Sequence, residues 1–187
     1  MNIPRRWKIF AITGVLTIVF DLWSKSWAEG ALGNGEIISV IENFWDWRLS
    51  YNTGSAFGMF HSMGSARIFL SVVGLFALGF VVYMQQKAED KQTWMALALG
   101  GIAGGAIGNL YDRILYGKVT DFIVWRYYDA QWPTFNIADA ALCVGVGILL
   151  LDSFRQAREE KRAAELEKAE SKKSAKPGGS RKKKNKR

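Results

Sequence analysis

TWMALALGGIAGGAIGNLY, residues 93 to 111, contains no charged side chain, although a soluble helix of this length would carry several. A membrane span needs about 20 predominantly apolar residues, and this segment is long enough. Its glycines recur every fourth residue in two neighbouring rows, Gly100, Gly104 and Gly108 beside Gly101 and Gly105. Small residues at this spacing let the backbones of two membrane helices approach closely. A phosphate-binding loop is disfavoured because no P-loop lysine follows. The segment therefore predicts a closely packed membrane helix.

Three further apolar segments, Trp7–Trp27, Ile68–Met84 and Ile137–Phe154, predict a membrane α-helical fold with four transmembrane helices.

Residues 1–151 carry 11 basic and 11 acidic side chains, whereas residues 152–187 carry 14 basic and 6 acidic side chains, so the net charge of +8 belongs to the tail. We predict a membrane domain at residues 1–154, followed at 155–187 by a charged helical extension and a disordered polybasic tail. Such basic clusters attract anionic membrane lipids. Because no aromatic residues interleave the basic ones to stack on bases, no nucleic-acid partner is expected.

Basic residues also indicate the orientation in the membrane. Arg5, Arg6 and Lys8 precede the first span, Lys87 and Lys91 join the second to the third, and the basic tail follows the fourth. Because cytoplasmic segments are enriched in Lys and Arg, both termini are predicted to be cytoplasmic. The connections 28–66 and 112–136 then face outward. Alternation in EIISVIENFWDWRLSYNTGSAFGMF, residues 36–60, predicts a small β-sheet in the first connection, and the second is expected to form a short outer loop or helix.

The unusual polar residues converge on the outer face of this topology. Charged side chains near hydrocarbon are costly, and they usually mark a function or a buried partner. Those that meet at this face come from the outer ends of three spans and from both outer connections: Asp21, Lys25, Asn52, Gly54, Asn109, Asp112, Arg113, Asp121, Asn136 and Asp139. The sequence therefore predicts a polar site at the outer membrane surface.

Two of these residues, Asp121 and Asp139, could perform acid–base chemistry together. In a site that partly excludes water, one carboxyl keeps its proton and acts as an acid, while the other polarises a water molecule. This is the chemistry of an aspartyl hydrolase. The residues alone are equally compatible with a plainer alternative, in which Asp139 caps the fourth helix and Asp121 is a solvated loop residue.

Other polar residues have structural interpretations. For Asp21 and Lys25, an ion pair that holds the first span is favoured over a catalytic pair. Cys143 is predicted to be a small packing residue, because a thiol nucleophile needs a base and His61 is the only histidine. One Cys and one His also disfavour a structural zinc site. Asp46 is interpreted as an ordinary surface residue.

Five short motifs follow one another along the chain: DLWSK (21–25), YNTGSAF (51–57), GGAIGNLYDR (104–113), VTDFI (119–123) and FNIADA (135–140). Over residues 7–154 they resemble the bacterial lipoprotein signal peptidases, or signal peptidase II, although Ser55 stands where that family often has alanine. The resemblance implies an aspartyl endopeptidase of the bacterial inner membrane. It would remove the signal peptide from diacylglyceryl-modified prolipoproteins by cleaving before the lipidated cysteine.

The resemblance also implies roles for individual residues. Asp121 and Asp139 would be the catalytic aspartates near the periplasmic face, and the residues that bind substrate or support the site would be Asn52, Gly54, Asn109, Arg113, Asn136, Asp21 and Lys25. It implies no metal, no cofactor and inhibition by the cyclic peptide globomycin, and we expect a monomer. Two other functions remain compatible with the residues alone. One is a proton-coupled transporter that uses Asp139 as its carrier, and the other is a scaffold whose polar cluster only holds helices together.

Overall fold

The computed structural model describes residues 2–33, 35–54 and 63–174, so Ser55, His61 and the polybasic end lie outside the described residues. Four segments of the described chain are long and apolar enough to cross a membrane, as predicted. The elements in chain order are α1 (Arg5–Leu32), β1 (Ile37–Ile41), β2 (Trp45–Asn52), α2 (Met63–Lys87), α3 (Thr93–Tyr116), β3 (Val119–Tyr127), β4 (Ala130–Gln131) and α4 (Ile137–Ser174).

The chain divides into two compact units, Met1–Leu149 and Leu150–Arg187. In the second unit, α4 continues to Ser174, and Gln156 Nε2 donates a hydrogen bond of 2.8 Å to Asp152 Oδ2 one turn earlier. A helical extension was expected here. The boundary predicted at residues 154 and 155 stays a prediction.

Helix α3 packs closely against both α1 and α4 through its two rows of glycines. A Cβ atom on Gly104 would lie 2.6 Å from Gly14 O of α1, and one on Gly105 would lie 2.5 Å from Ala138 O of α4. Real Cβ atoms do not approach backbone oxygens this closely, so only glycine fits at these points. Each row thus serves a different neighbouring helix, as close helix packing requires.

The strands form one antiparallel sheet in the order β1-β2-β3-β4. Ala28 and Leu32, at the C-terminal end of α1, pack with Phe122 and Ile123 of β3 in a buried cluster. The sheet predicted in the first connection is therefore present. It places β3 against the C-terminal end of α1.

The second connection differs from the expected loop or helix, because it contributes strands β3 and β4 to this sheet. The first six residues of β3, Val119–Val124, are all buried, so both faces of the strand are covered. A strand covered on both faces shows no alternation of apolar and polar residues. The pattern that revealed strands in the first connection was therefore absent from the second.

Candidate active site

Asn136 and Asp139 form a reciprocal cap at the start of α4. The backbone N–H of Asp139 donates to Asn136 Oδ1 at 3.0 Å, and the backbone N–H of Asn136 donates to Asp139 Oδ2 at 3.4 Å. This arrangement satisfies N–H groups that a helix leaves unpaired at its first turn. Asp139 therefore caps α4, as the plainer alternative predicts, and it does so through Oδ2. Its Oδ1 takes no part in the cap.

The carboxyl groups of the two aspartates accept hydrogen bonds from two different asparagine side chains. Asn136 Nδ2 donates to Asp121 Oδ1 at 2.7 Å, and Asn109 Nδ2 donates to Asp139 Oδ1 at 2.7 Å. The asparagines are also joined, because Asn136 Nδ2 lies 3.2 Å from Asn109 Oδ1. Asp121 is therefore a buried member of a network and not a solvated loop residue.

Lys25 lies behind these asparagines and is itself buried. Its Nζ forms ion pairs with Asp21 Oδ2 at 2.7 Å and Asp112 Oδ2 at 3.1 Å, and it donates to Asn109 Oδ1 at 3.1 Å. The ion pair predicted between Asp21 and Lys25 is present. Through Asn109, it is connected to Asp139.

Asp21 links α1 to the first turn of α4. Its Oδ1 accepts a hydrogen bond of 2.8 Å from the backbone N–H of Ala138. A Cβ atom on Gly108 would collide with the Asp21 carboxylate, so the glycine row of α3 leaves room for this contact. Asp21 therefore helps to set the position of the helix turn that carries Asp139.

The environment of Asp121 favours its protonated form. Burial, and after it the nearby charge of Asp139, raise the pKa of this carboxyl from its ordinary value to about 7. Hydrogen bonds from the side chains of Asn136 and Asn52, together with the charge of Lys25, act in the opposite direction. Asp121 is thus able to hold a proton near neutral pH.

The remaining predicted residues surround this network. Asn52 contacts Asp121, and its Oδ1 accepts a hydrogen bond of 2.9 Å from the backbone N–H of Gly54. Gly54 has a φ of +81°, a conformation that favours glycine. Arg113 NH1 donates to Asn109 O at 3.4 Å. The structure therefore brings every predicted site residue into one connected region.

Two participants, Thr120 and Glu29, were absent from the polar residues predicted to meet at this face. Asp112 Oδ2 accepts from the backbone N–H of Thr120 at 3.1 Å, besides its ion pair with Lys25, and Thr120 Oγ1 donates to Glu29 Oε1 at 2.8 Å. These contacts tie β3 to α3 and α1. Asp112, which lies three residues after Asn109 and so on the same helix face, was among the predicted residues but was given no role as a site residue. Thr120 and Glu29 carry no comparable sequence signal.

The interpretation of Asp46 as an ordinary surface residue is wrong. Asp46 is 7% exposed, and its Oδ2 forms an ion pair of 2.8 Å with Nε of Arg126 on β3. The pair joins adjacent strands, so it depends on the sheet that the second connection was not expected to complete. It stabilises the sheet and is not part of the network around Asp121 and Asp139.

An apolar cavity of about 440 Å³ adjoins Asp139. It lies between the segment from β3 to Phe135 and the first turns of α4, and its walls are formed by Trp125, Trp132, Pro133, Thr134, Phe135, Asp139, Ala140, Cys143 and Val144. Cys143 is exposed and faces this cavity. Cys143 was predicted to be a small packing residue, and the structure leaves it exposed on α4.

Known proteins share this sequence and fold. The family model for signal peptidase (SPase) II matches residues 13–155. A lipoprotein signal peptidase of Xanthomonas euvesicatoria pv. vesicatoria is 35% identical over 148 residues, covering 78% of this chain and 86% of the relative. One from Pseudomonas aeruginosa is 38% identical over 143 residues, covering 75% and 85%.

Two solved structures of bacterial membrane enzymes share the fold. The first has a TM-score of 0.69 and 29% identity, covering 76% of this chain and 90% of its own. The second has a TM-score of 0.67 and 27% identity, covering 79% and 88%. The range matched by the family model contains every residue of the polar network. The chain belongs to the signal peptidase II family.

Proposed function

We propose that this chain is an aspartic endopeptidase that removes the signal peptide from prolipoproteins, with Asp121 and Asp139 as its catalytic dyad. The observation that carries the proposal is the position of Asn136, which donates to Asp121 through its side chain and to Asp139 through its backbone. One buried residue thus holds two carboxyl groups from separate elements. The names of the relatives, lipoprotein signal peptidases, support the substrate class.

The two carboxyl groups have different roles in the proposed reaction. Asp139 accepts a proton from a water molecule, which then attacks the scissile carbonyl carbon. Asp121, with a pKa of about 7, carries a proton near neutral pH and donates a hydrogen bond to the carbonyl oxygen as negative charge develops there. The amide bond then breaks, and the departing nitrogen receives the proton that Asp139 took from water. This chemistry requires no metal or cofactor.

The supporting residues hold this arrangement in place. Asn109 and Asn136 orient the carboxyl groups, and Asn52 contacts Asp121 beside the turn at Gly54. Lys25 and Arg113 donate hydrogen bonds to Asn109. Asp21 accepts a hydrogen bond from the first turn of α4, so all three residues support the site without contacting the two aspartates. A site held by buried hydrogen bonds needs little rearrangement during the reaction.

The enzyme is proposed to lie in the bacterial inner membrane with both termini in the cytoplasm and the dyad near the periplasmic face. The basic residues before α1, between α2 and α3, and after α4 support this orientation. The signal helix of the substrate would lie in the bilayer. Globomycin would bind at the dyad in the way that a substrate does, but without being cleaved. We propose that a monomer suffices, since both aspartates belong to one chain. A reporter fused after Arg187 should read as cytoplasmic.

The dyad is tested by cleavage of a lipidated prolipoprotein in detergent. Asp121→Asn and Asp139→Asn should each lower turnover by about 10²–10⁴-fold, because each removes one partner of the acid–base pair. Asp129→Asn, at an exposed position beyond β3, is the matched control and should retain wild-type turnover. Near-normal cleavage by either folded dyad variant would refute the proposal.

A further inference from the structure

Asn52, which contacts the carboxyl of Asp121, is the last residue of β2. It lies opposite Val119, the first residue of β3, so Asp121 is its diagonal neighbour on the same face of the sheet. The strand ends there, and the chain turns at Gly54 with a φ of +81°. The position of the Asn52 side chain therefore depends on how firmly the end of β2 is held against β3.

The opposite face of the same strand end carries a cation–π contact. Lys118 Nζ lies 3.2 Å from the centroid of the Tyr51 ring, and such pairs attract within about 6 Å. Tyr51 lies opposite Thr120, so Lys118 is its diagonal neighbour on this face. Lys118 is half-buried, because its side chain lies across the ring instead of extending into water. The contact joins the end of β2 to the residue that precedes β3.

We propose that Lys118 is a positioning residue that holds Asn52 against Asp121. It acts through Tyr51, the neighbour of Asn52 in the chain, because a movement of Tyr51 away from β3 carries Asn52 with it. The two contacts lie on opposite faces of the strand, so Lys118 reaches the carboxyl only through β2. The inference rests on the proposed function, in which Asp121 carries the catalytic proton.

A direct effect of the Lys118 charge is the plainer alternative. A nearby ammonium lowers the pKa of a carboxyl by attraction alone, and this effect would not require Asn52 to move. The two explanations are separated by variants in which the other charged groups around this strand end, from α1, α3 and α4, stay the same: Lys25, Glu29, Asp112, Arg113 and Asp139.

The first test compares loss of the ring with loss of the charge. Tyr51→Leu removes the ring and keeps the lysine, whereas Lys118→Met removes the lysine and keeps the ring. In wild-type enzyme, kcat/KM should fall as Asp121 loses its proton near pH 7. A loosened Asn52 lowers the pKa of Asp121 less, so both variants should move this fall to higher pH. The expected shift is about half a pH unit, because an exposed cation–π contact contributes less free energy than one pKa unit represents.

Two further variants serve as controls. Tyr51→Phe keeps an aromatic ring beneath Lys118 and should restore the wild-type profile. Lys87→Met removes a second cation–π pair, in which Lys87 Nζ lies 5.8 Å from the centroid of Tyr83 on α2, and should leave the profile unchanged. A shift with Lys118→Met and none with Tyr51→Leu would assign the effect to charge and overturn the inference.

The second test combines Lys118→Met with Asn52→Ala. If Lys118 acts only through Asn52, the double variant should shift the profile no further than Asn52→Ala alone, because the side chain on which Lys118 acts is already absent. A direct charge effect would instead add to the shift of Asn52→Ala. Additive shifts would therefore overturn the inference.

Nuclear magnetic resonance provides a measurement that does not depend on cleavage. In detergent micelles with isotope-labelled asparagine, the side-chain amide signal of Asn52 is identified by its loss in Asn52→Ala. This signal should move in Lys118→Met and Tyr51→Leu and stay in place in Lys87→Met. An unmoved signal in the first two variants would overturn the inference while wild-type enzyme still cleaves. Near-normal cleavage by Asp121→Asn would instead refute the proposed function, so the two failures are distinguishable.

Discussion

Lys25 Nζ lies 3.1 Å from Asn109 Oδ1, and this contact determines which end of the Asn109 amide faces the dyad. A lysine ammonium can only donate, so the amide oxygen turns toward Lys25 and the NH2 group turns toward Asp139. The same oxygen accepts from Asn136 Nδ2, which also donates to Asp121. One buried cation thereby orients two amides, and through them both carboxyl groups.

Lys25→Met should strongly destabilise the protein. The variant would leave the buried carboxylates of Asp21 and Asp112 without their shared cation, and removing one partner from a buried ion pair costs about 3–5 kcal/mol. Thermal unfolding in detergent measures the loss. Lys91→Met is the matched control, because the pair of Lys91 with Glu89 is largely exposed and its loss should change stability little. Equal melting temperatures for the two variants would contradict the structural role of Lys25.

The pH dependence of cleavage should reveal the proton on Asp121. Because burial and the charge of Asp139 raise its pKa to about 7, the carboxyl is protonated below that pH and loses its proton above it. If the protonated form is the active one, kcat/KM should fall as the pH rises through about 7. A rate that stays constant from pH 6 to pH 9 would assign the acid to another group.

Asn52→Ala should move this falling limb to higher pH. The hydrogen bond from Asn52 lowers the pKa of Asp121, so its removal raises that pKa and keeps the proton in place further into the alkaline range. The full pH profile of kcat/KM is the measurement. Gln131→Ala, at an exposed position on β4, should leave the profile unchanged. A shift toward lower pH for Asn52→Ala would have the wrong sign and would exclude this role.

Gly105→Ala should weaken both stability and catalysis. The added Cβ would lie 2.5 Å from Ala138 O and would displace the first turn of α4, which carries Asp139. Overpacking of this kind costs about 1–3 kcal/mol. Gly74→Ala is the control, since its Cβ would meet no atom within 4 Å. The free energy of unfolding and kcat should fall together in the first variant and stay unchanged in the second.

Gly54→Ala separates backbone strain from crowding when it is compared with Gly35→Ala. Both glycines have positive φ, +81° and +83°, so each variant should lose about 1 kcal/mol through strain. Only at Gly54 would the new Cβ also crowd a neighbour, Leu70 Cδ1 at 2.6 Å, while Gly35 has open space. Gly54→Ala should therefore also reduce cleavage, because it disturbs the turn that holds Asn52. Equal activity of the two variants would show that this turn is unimportant for the dyad.

The spans and the polar site could be predicted because their signals are local. Uncharged segments such as residues 93–111 indicate membrane helices by length and composition, and a charge such as Asp139 at the edge of a span is conspicuous. The glycine rows likewise follow from spacing along one helix. Each of these features is visible within a single stretch of about 20 residues.

The features that the sequence did not indicate depend on contacts between distant segments. Strand β3 is covered on both faces, so it lacks the alternation that identifies a half-buried strand. Asp46 and Arg126 are 80 residues apart, and Thr120 and Glu29 are 91 residues apart, so neither pair can be found before the strand pairing is known. The capping and network roles of Asp139 could not be separated either, because one side chain performs both with different oxygens.

Gly105 and Gly108 are three residues apart on α3, a rise of about 4.5 Å, and they meet Ala138 of α4 and Asp21 of α1. These close contacts prevent α1 and α4 from sliding along α3. The height of Asp139 along α3 is consequently fixed. A signal peptide whose apolar segment is longer or shorter than the bilayer must tilt or stretch to bring its cleavage site to that height.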